Sequence, residues 1–363
     1  MSPLPTPKPG ILDIKAYVGG KSKAAGVARV MKLSSNESAL GPSPRAIEAY
    51  KQSAETLHRY PDGNCAALRE AIAQVQGLDA TRIVCGAGSD ELIALLMHSY
   101  AGPGDEMLYS EHGFLMYKIY AQGFGVTPVA APEKSLCLDV DAMLARVSER
   151  TKIVFVTNPN NPTGSYISAA ELLRLRSKLP SQVLLVIDAA YAEYVTAADY
   201  ASGLELARDT ENCVMLRTFS KIYGLSSLRL GWGYFPTAIA DVMNRVRGPF
   251  NVSTSAQTAG TSAMLDTEFT ARAKAFNTQW LNWLKQELTA LKLTVHPSVA
   301  NFLLVEFPAT GKTASGANQF LTERGVIVRE TTSYGLPNCL RITIGLEEEN
   351  RAVIESLRLF LSA

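Results

Sequence analysis

A chain of 363 residues is too long for one small core and, at ~150 residues per unit, is expected to form about two domains. Its 47% hydrophobic and 19% charged residues suit a globular protein with a sizeable core. A formal net charge of +1 offers no field to hold nucleic acid or an acidic membrane surface, so function is expected in a local site.

Residues 1–43 have little helical period and read as an N-terminal arm. Ser43-Pro44 places a capping serine before a proline at the first helical position, predicting a helix to about Leu57. Arg59-Tyr60-Pro61-Asp62-Gly63 is a turn, and a second helix is expected over Ala66 to Gln76. Arg82 to Cys85 is a short apolar strand. The loop Gly86-Ala87-Gly88 then leads to Ser89, placed to cap a helix from Asp90 to Tyr100. A turn at Gly102-Pro103-Gly104-Asp105 precedes a strand from Glu106 to Tyr109. Ile153 to Thr157 and Val183 to Ile187 are unbroken apolar runs, as strands buried on both faces require. With helical segments between them, residues 44–265 show the alternation of an α/β domain with a mostly parallel central sheet. Beyond about Leu265 the texture changes. A long amphipathic helix is expected over Glu268 to Leu291, a strand near Asn301 to Phe307 and a helix near Ala317 to Arg324. Strands follow at Val326 to Arg329 and Leu340 to Ile344, with a last helix from Glu347. Residues 266–363 therefore read as a smaller α+β domain.

The proline-rich start, Met1 to Gly10, lacks the apolar stretch of a secretory signal, and no apolar run approaches the ~20 residues that span a bilayer. A cytoplasmic location is the default expectation. Cys65, Cys85, Cys137, Cys213 and Cys339 are widely spaced, with no Cys-x-x-Cys pair and no histidine cluster, so neither a metal site nor a disulfide framework is expected.

The segment with the most chemistry is Thr218-Phe219-Ser220-Lys221-Ile222-Tyr223-Gly224, followed by Arg229. It leaves the apolar run Cys213 to Leu216, so Lys221 sits just past a strand end, where α/β folds place ligands. Partial desolvation and the nearby Arg229 cation would lower its pKa and suit it to act as nucleophile and base. A surface lysine fits the same position. Asn161, within Asn158-Pro159-Asn160-Asn161-Pro162-Thr163-Gly164, belongs either to an ordinary proline-rich turn or to a rigid loop holding an amide at a strand end. Asp188 closes another apolar run, where it either caps a helix or pairs with a cation, since a buried lone carboxylate is costly. Gly86 to Glu91 is a strand–loop–helix junction whose backbone N–H groups could cradle a phosphate.

In this order the segments resemble the fold-type I pyridoxal-phosphate (PLP) aminotransferases over nearly the whole chain. They most resemble the histidinol-phosphate aminotransferase family. The pointers are Tyr17-Val18-Gly19-Gly20-Lys21-Ser22, Leu33-Ser34-Ser35-Asn36-Glu37, Gly41-Pro42-Ser43-Pro44, His58 to Gly63, Gly88-Ser89-Asp90-Glu91-Leu92 and Leu340 to Gly345. Gly19 stands where that family usually has proline, and Ser38-Ala39 depart from its Asn-Glu-Asn-Pro pattern. Both departures lie toward the substrate end and leave the cofactor residues untouched.

The resemblance implies a large PLP-binding domain, a small C-terminal domain and an arm contributing to the small domain or a dimer contact. It implies that Lys221 carries the cofactor and shuttles the proton, and that Asp188 keeps the pyridine nitrogen protonated. Asn161 and Tyr191 would bond the ring hydroxyl, and Phe114 would stack on the ring, although a core phenylalanine fits that position too. The phosphate would take N–H groups of Ser89 and Asp90, the Ser220 hydroxyl and Arg229. Tyr60 would reach the same phosphate from a partner in a homodimer; ordinary packing against Pro61 is its other reading. Arg341 would grip substrate anions, assisted by Arg329 and Tyr17, with Asn36 at the substrate side; by strand alternation alone Arg341 could equally face solvent. The implied reaction converts histidinol phosphate and 2-oxoglutarate to imidazole-acetol phosphate and glutamate. An aromatic amino-acid aminotransferase and a threonine-phosphate decarboxylase-like enzyme share much of this constellation. A non-catalytic PLP-binding regulator usually carries an added DNA-binding module, for which the arm is too short.

Overall fold

The computed structural model describes residues 5–21, Gly26 and residues 29–362. Ser22 of the arm motif and part of the residue 1–10 segment lie outside them.

Seven strands form the central sheet, in the order Ile83–Gly86, Gly231–Tyr234, Cys213–Thr218, Leu184–Asp188, Thr151–Thr157, Glu106–Ser110 and Thr127–Ala131. Neighbours run parallel, except that Gly231–Tyr234 is antiparallel to both of its partners. Every residue of Leu184–Asp188 and Cys213–Thr218 is buried, which is why these segments read as continuous apolar runs. On one face Leu92, Leu96 and Met243 pack on Phe155, Val186 and Val214. On the other, Leu172, Leu175 and Met143 pack on Val154, Leu185 and Ile187. Each such side chain contributes roughly 1.5–3 kcal/mol by leaving water. The register sets Thr157 beside Asp188 and Asp188 beside Leu216, so the carboxyl ends of these strands align along one edge.

Local signals account for most helix ends. The Ser43 hydroxyl accepts the Ala46 N–H at 3.1 Å with Pro44 first in the helix Pro44–Ser53, whose end tightens into a 3-10 turn at Ala54–Thr56 before Leu57 is reached. The second helix is Ala66–Gln76. Ser89 departs from expectation: the helix is Ser89–Tyr100, Gly88 occupies the cap position, and no side chain caps the end. Gly88 has φ +84°, and a Cβ there would lie 2.5 Å from Arg229 Nη2; one on Gly231 would lie 2.2 Å from the Ser89 nitrogen. Only glycine lets this junction close so tightly, and it frees the Ser89 hydroxyl from capping.

A second sheet, fully antiparallel, orders Thr294–Val295, Phe302–Glu306, Cys339–Thr343 and Arg329–Glu330. One face presents Leu303, Val305, Leu340 and Ile342 to helices Thr267–Ala290, Ala314–Glu323 and Glu347–Ser362, through Leu284, Leu288, Leu321 and Val353. The single strand expected over Val326 to Arg329 is two: Val326–Ile327 pairs in parallel with Met31–Lys32, while Arg329–Glu330 joins Cys339–Thr343. The arm thereby forms a separate two-stranded sheet beside the small one, with Leu33 N–H donating to Ile327 O at 2.8 Å and Thr343 N–H donating to Leu33 O at 3.0 Å. All five cysteines are free, and among the described residues no helix is long and apolar enough to cross a membrane.

Candidate active site

The chain leaving strand Cys213–Thr218 turns at once, with the Ser220 N–H on Thr218 Oγ1 at 3.1 Å. That turn sends Lys221 into a cleft which Asn161, Asp188, Tyr191, Ser220 and Arg229 also line. Its Nζ donates to Ser35 O at 3.3 Å and lies 5.5 Å from the centre of the Tyr191 ring. Burial lowers the amine to about 8, and the Arg341 cation pushes the same way. The expected cation was Arg229. Its guanidinium is instead taken up by Asp90 at 3.0 Å, Ser226 O at 3.0 Å and Ser220 Oγ at 3.4 Å. Lys221 is therefore no free surface lysine.

Asp188 is buried at the end of its strand, and no helix begins there for it to cap. Its Oδ2 accepts the Tyr117 hydroxyl at 2.8 Å and its Oδ1 the Ala190 N–H at 3.3 Å. Burial still raises the carboxyl to about 6, because those two bonds only partly replace water. A cation beside it would draw it back to the ionised form. Tyr117 was not singled out from sequence. The signal was its place three residues after Phe114, one helical turn along. Phe114 is half-buried at the start of helix Leu115–Phe124, lines the cleft, and meets Tyr117 edge-on at 5.6 Å.

Both Asn-Pro bonds of the 158–164 loop, Asn158-Pro159 and Asn161-Pro162, are cis. The Asn161 carbonyl accepts Arg341 Nη1 at 2.5 Å. Arg341 does not face solvent. It points away from the helix-covered face of its sheet, is buried, donates to Ser34 O at 2.7 Å through Nη2, and its Nε has no partner among the described residues. A buried guanidinium with an unused N–H and no carboxylate partner is ready for an anion.

Asn36, expected at the substrate side, has its side chain committed to neighbours. Its amide is spent between the Tyr191 hydroxyl, to which Nδ2 donates at 2.9 Å, and Thr343, whose hydroxyl donates to Oδ1 at 3.1 Å. Fully buried, it holds Tyr191 in place. Arg329 and Tyr17 do come together: the guanidinium lies 5.9 Å from the ring centre and donates to Val18 O at 2.9 Å. Tyr60 does not approach this chain's cleft. It is 83% exposed and stacks on Phe250, not Pro61, with ring centres 4.7 Å apart.

Taken together, one end of the cleft offers donors for an anion: the helix start at Ser89 and Asp90, the Ser220 hydroxyl and Arg229. Another part offers a buried carboxylate, and a lysine amine of lowered pKa opens onto the same space. At Gly88 and Gly231 there is no room for a side chain beside Arg229 and the Ser89 nitrogen. A phosphorylated pyridine bearing an aldehyde fits this donor set.

Fold and site define an aminotransferase: the chain belongs to the class I and II aminotransferases, whose family model matches residues 28–357. Within that class its relatives include histidinol-phosphate aminotransferases. It is 58% identical to that of Rhodospirillum centenum over 97% of this chain and 98% of the relative. It is 56% identical to that of Paramagnetospirillum magneticum over 99% of each. The crystal structure of the Sinorhizobium meliloti histidinol-phosphate aminotransferase in complex with pyridoxal-5'-phosphate superposes with a TM-score of 0.89 at 26% identity, covering 99% of both chains.

Proposed function

We propose that this chain is a PLP enzyme that transfers the amino group between L-histidinol phosphate and 2-oxoglutarate, giving imidazole-acetol phosphate and L-glutamate. We further propose that it acts in the cytoplasm as a homodimer. The observation that carries the reading is the single cleft shared by Lys221, Asp188, Asn161 and Arg229, with Arg341 entering from the small domain. The cofactor supplies a carbon for amine exchange and a ring that takes up electrons from the substrate. Lys221 would hold it, and its amine, buried in the cleft, would move the proton at the substrate Cα. Asp188, oriented by Tyr117, would keep the ring nitrogen protonated. Tyr191, oriented by Asn36, and Asn161 would bond the ring hydroxyl, and Phe114 would pack on the ring. Ser89, Asp90, Ser220 and Arg229 would hold the phosphate. Arg341, assisted by Arg329 and Tyr17, takes the α-carboxylate of glutamate in one half-reaction and the substrate phosphate in the other. One planar fork of donors suits both anions.

Steady-state kinetics with histidinol phosphate, phenylalanine and threonine phosphate test the assignment. The highest kcat/KM is expected for histidinol phosphate; a higher value for either rival replaces it. Arg341→Lys keeps the charge but loses the fork. Its kcat/KM for histidinol phosphate is expected to fall by about 10- to 100-fold, the worth of one charge-assisted hydrogen bond. An unchanged value removes Arg341 from substrate binding.

Tyr60 is 83% exposed and stacked on Phe250, which leaves its hydroxyl free to reach a partner's site. If Tyr60 serves the partner's phosphate, mixing Tyr60→Phe and Lys221→Ala chains yields hybrid dimers carrying one unmutated site. Activity is then expected to exceed that of either parent; a mixture no better than its parents contradicts sharing.

A further inference from the structure

His296, Glu306 and Cys339 meet on the small-domain sheet, outside the residues lining the cleft. We propose that these three side chains form a site for a zinc-class divalent cation. Glu306 pairs across the ladder with Cys339 on one side and with Thr294 on the other. His296 lies two residues beyond Thr294 and donates its backbone N–H to Leu304 O at 3.0 Å, so by alternation it shares their face. That face is opposite the one Val305 and Leu340 press against the helices.

The three ligand atoms all lie within 4.8 Å of one another, and His296 Nε2 is 3.1 Å from Glu306 Oε2. A histidine–glutamate pair alone would explain the latter distance. It does not explain the Cys339 thiol beside them, which is 5% exposed and makes no hydrogen bond among the described residues. One imidazole nitrogen, one carboxylate oxygen and one sulfur are the donors zinc takes, at ~2.0–2.3 Å each, whereas calcium and magnesium take oxygen. Donors on such a sphere sit about 3.3–3.8 Å apart, so small side-chain rotations close the site and leave a fourth position for water. His296 and Glu306 are open enough to solvent for an ion to enter. On binding, Cys339 gives its S–H proton to solvent and a sulfur lone pair to the ion; no electron is transferred. Cys339 also stands two residues before Arg341 on the same strand and face, so an ion would tie the outer end of this sheet to the strand that carries the proposed substrate anchor.

The test uses the cofactor-loaded protein, stripped of metal by a chelator and kept under a non-thiol reductant. It is titrated with Zn²⁺ by calorimetry and with Co²⁺ by visible absorption. One ion per chain is expected, and the cobalt form is expected to show intense tetrahedral bands with a thiolate charge-transfer band. Cys339→Ser and His296→Ala should each weaken Zn²⁺ binding at least ~100-fold, since each removes one of only three protein ligands. Glu306→Gln, exposed at the end of its strand, gives the same readout should either of those fail to fold. Absence of stoichiometric binding overturns the site, as does an affinity that none of the three substitutions changes.

Discussion

Lys221→Ala is expected to lose the cofactor's visible absorbance and at least ~10⁴-fold in turnover, because it removes both the amine that exchanges with substrate and the proton carrier. Absorbance spectroscopy and a transamination assay on the same preparation check this; a fully active alanine variant ends the proposed mechanism. The same substitution has a second effect, on the cofactor-free protein. The folded chain holds the Lys221 amine near 8, against 10.5 for an ordinary lysine. Between those values the unfolded chain binds more protons, so wild-type stability rises with pH through this window, and below it the whole penalty of a buried ammonium is present. Removing the amine removes this dependence, so the variant's stability relative to wild type is expected to fall by on the order of 1–3 kcal/mol between pH ~8 and ~10.5, on top of a pH-independent cost of losing the aliphatic stem. Thermal melts of both proteins across that range measure it. A difference between the two that stays constant through the window contradicts the buried-amine account.

Asp188→Asn is expected to keep its fold and lower kcat by ~10²–10³, with little change in KM. A neutral amide can still accept from Tyr117, but it cannot hold a proton on the ring nitrogen, and loss of one preorganised electrostatic contact is worth about that much. An unchanged turnover number removes the carboxylate from the mechanism. Stability again supplies a sign. The folded carboxyl sits near 6 against an ordinary 3.8, so between these values the folded state binds more protons and wild-type, cofactor-free stability falls as pH rises. The neutral amide of the variant has no such dependence, so its advantage is expected to grow from pH ~4 to ~6 and then level off.

Asn161, Asp188 and Lys221 were legible as candidates because each follows an unbroken apolar run, and a parallel sheet puts such strand ends on one edge. Gly86-Ala87-Gly88 was legible as a strand–loop–helix junction. The role of Ser89 was not. Whether a serine caps or begins a helix turns on the backbone of the residue before it, and Gly88 takes a positive-φ extended conformation where an added Cβ would meet Arg229. Tyr117 was hidden because a tyrosine one turn into an amphipathic helix reads as core until its partner, Asp188, is placed across the sheet.

By itself the amino-acid sequence determined the strand–helix alternation, most helix starts and the doubly buried central strands, while the class of chemistry came from the resemblance of its ordered motifs to a known family. These depend on neighbours along the chain: apolar periodicity, capping side chains and turn residues. Only the tertiary structure decided that Arg341 turns inward to Asn161, that Asn36 supports Tyr191, that Arg341 and not Arg229 presses on Lys221, and that His296, Glu306 and Cys339 meet. Each of these contacts joins residues far apart in sequence. Strand register and the docking of the arm bring them together, and both are set by packing energy summed over the whole molecule.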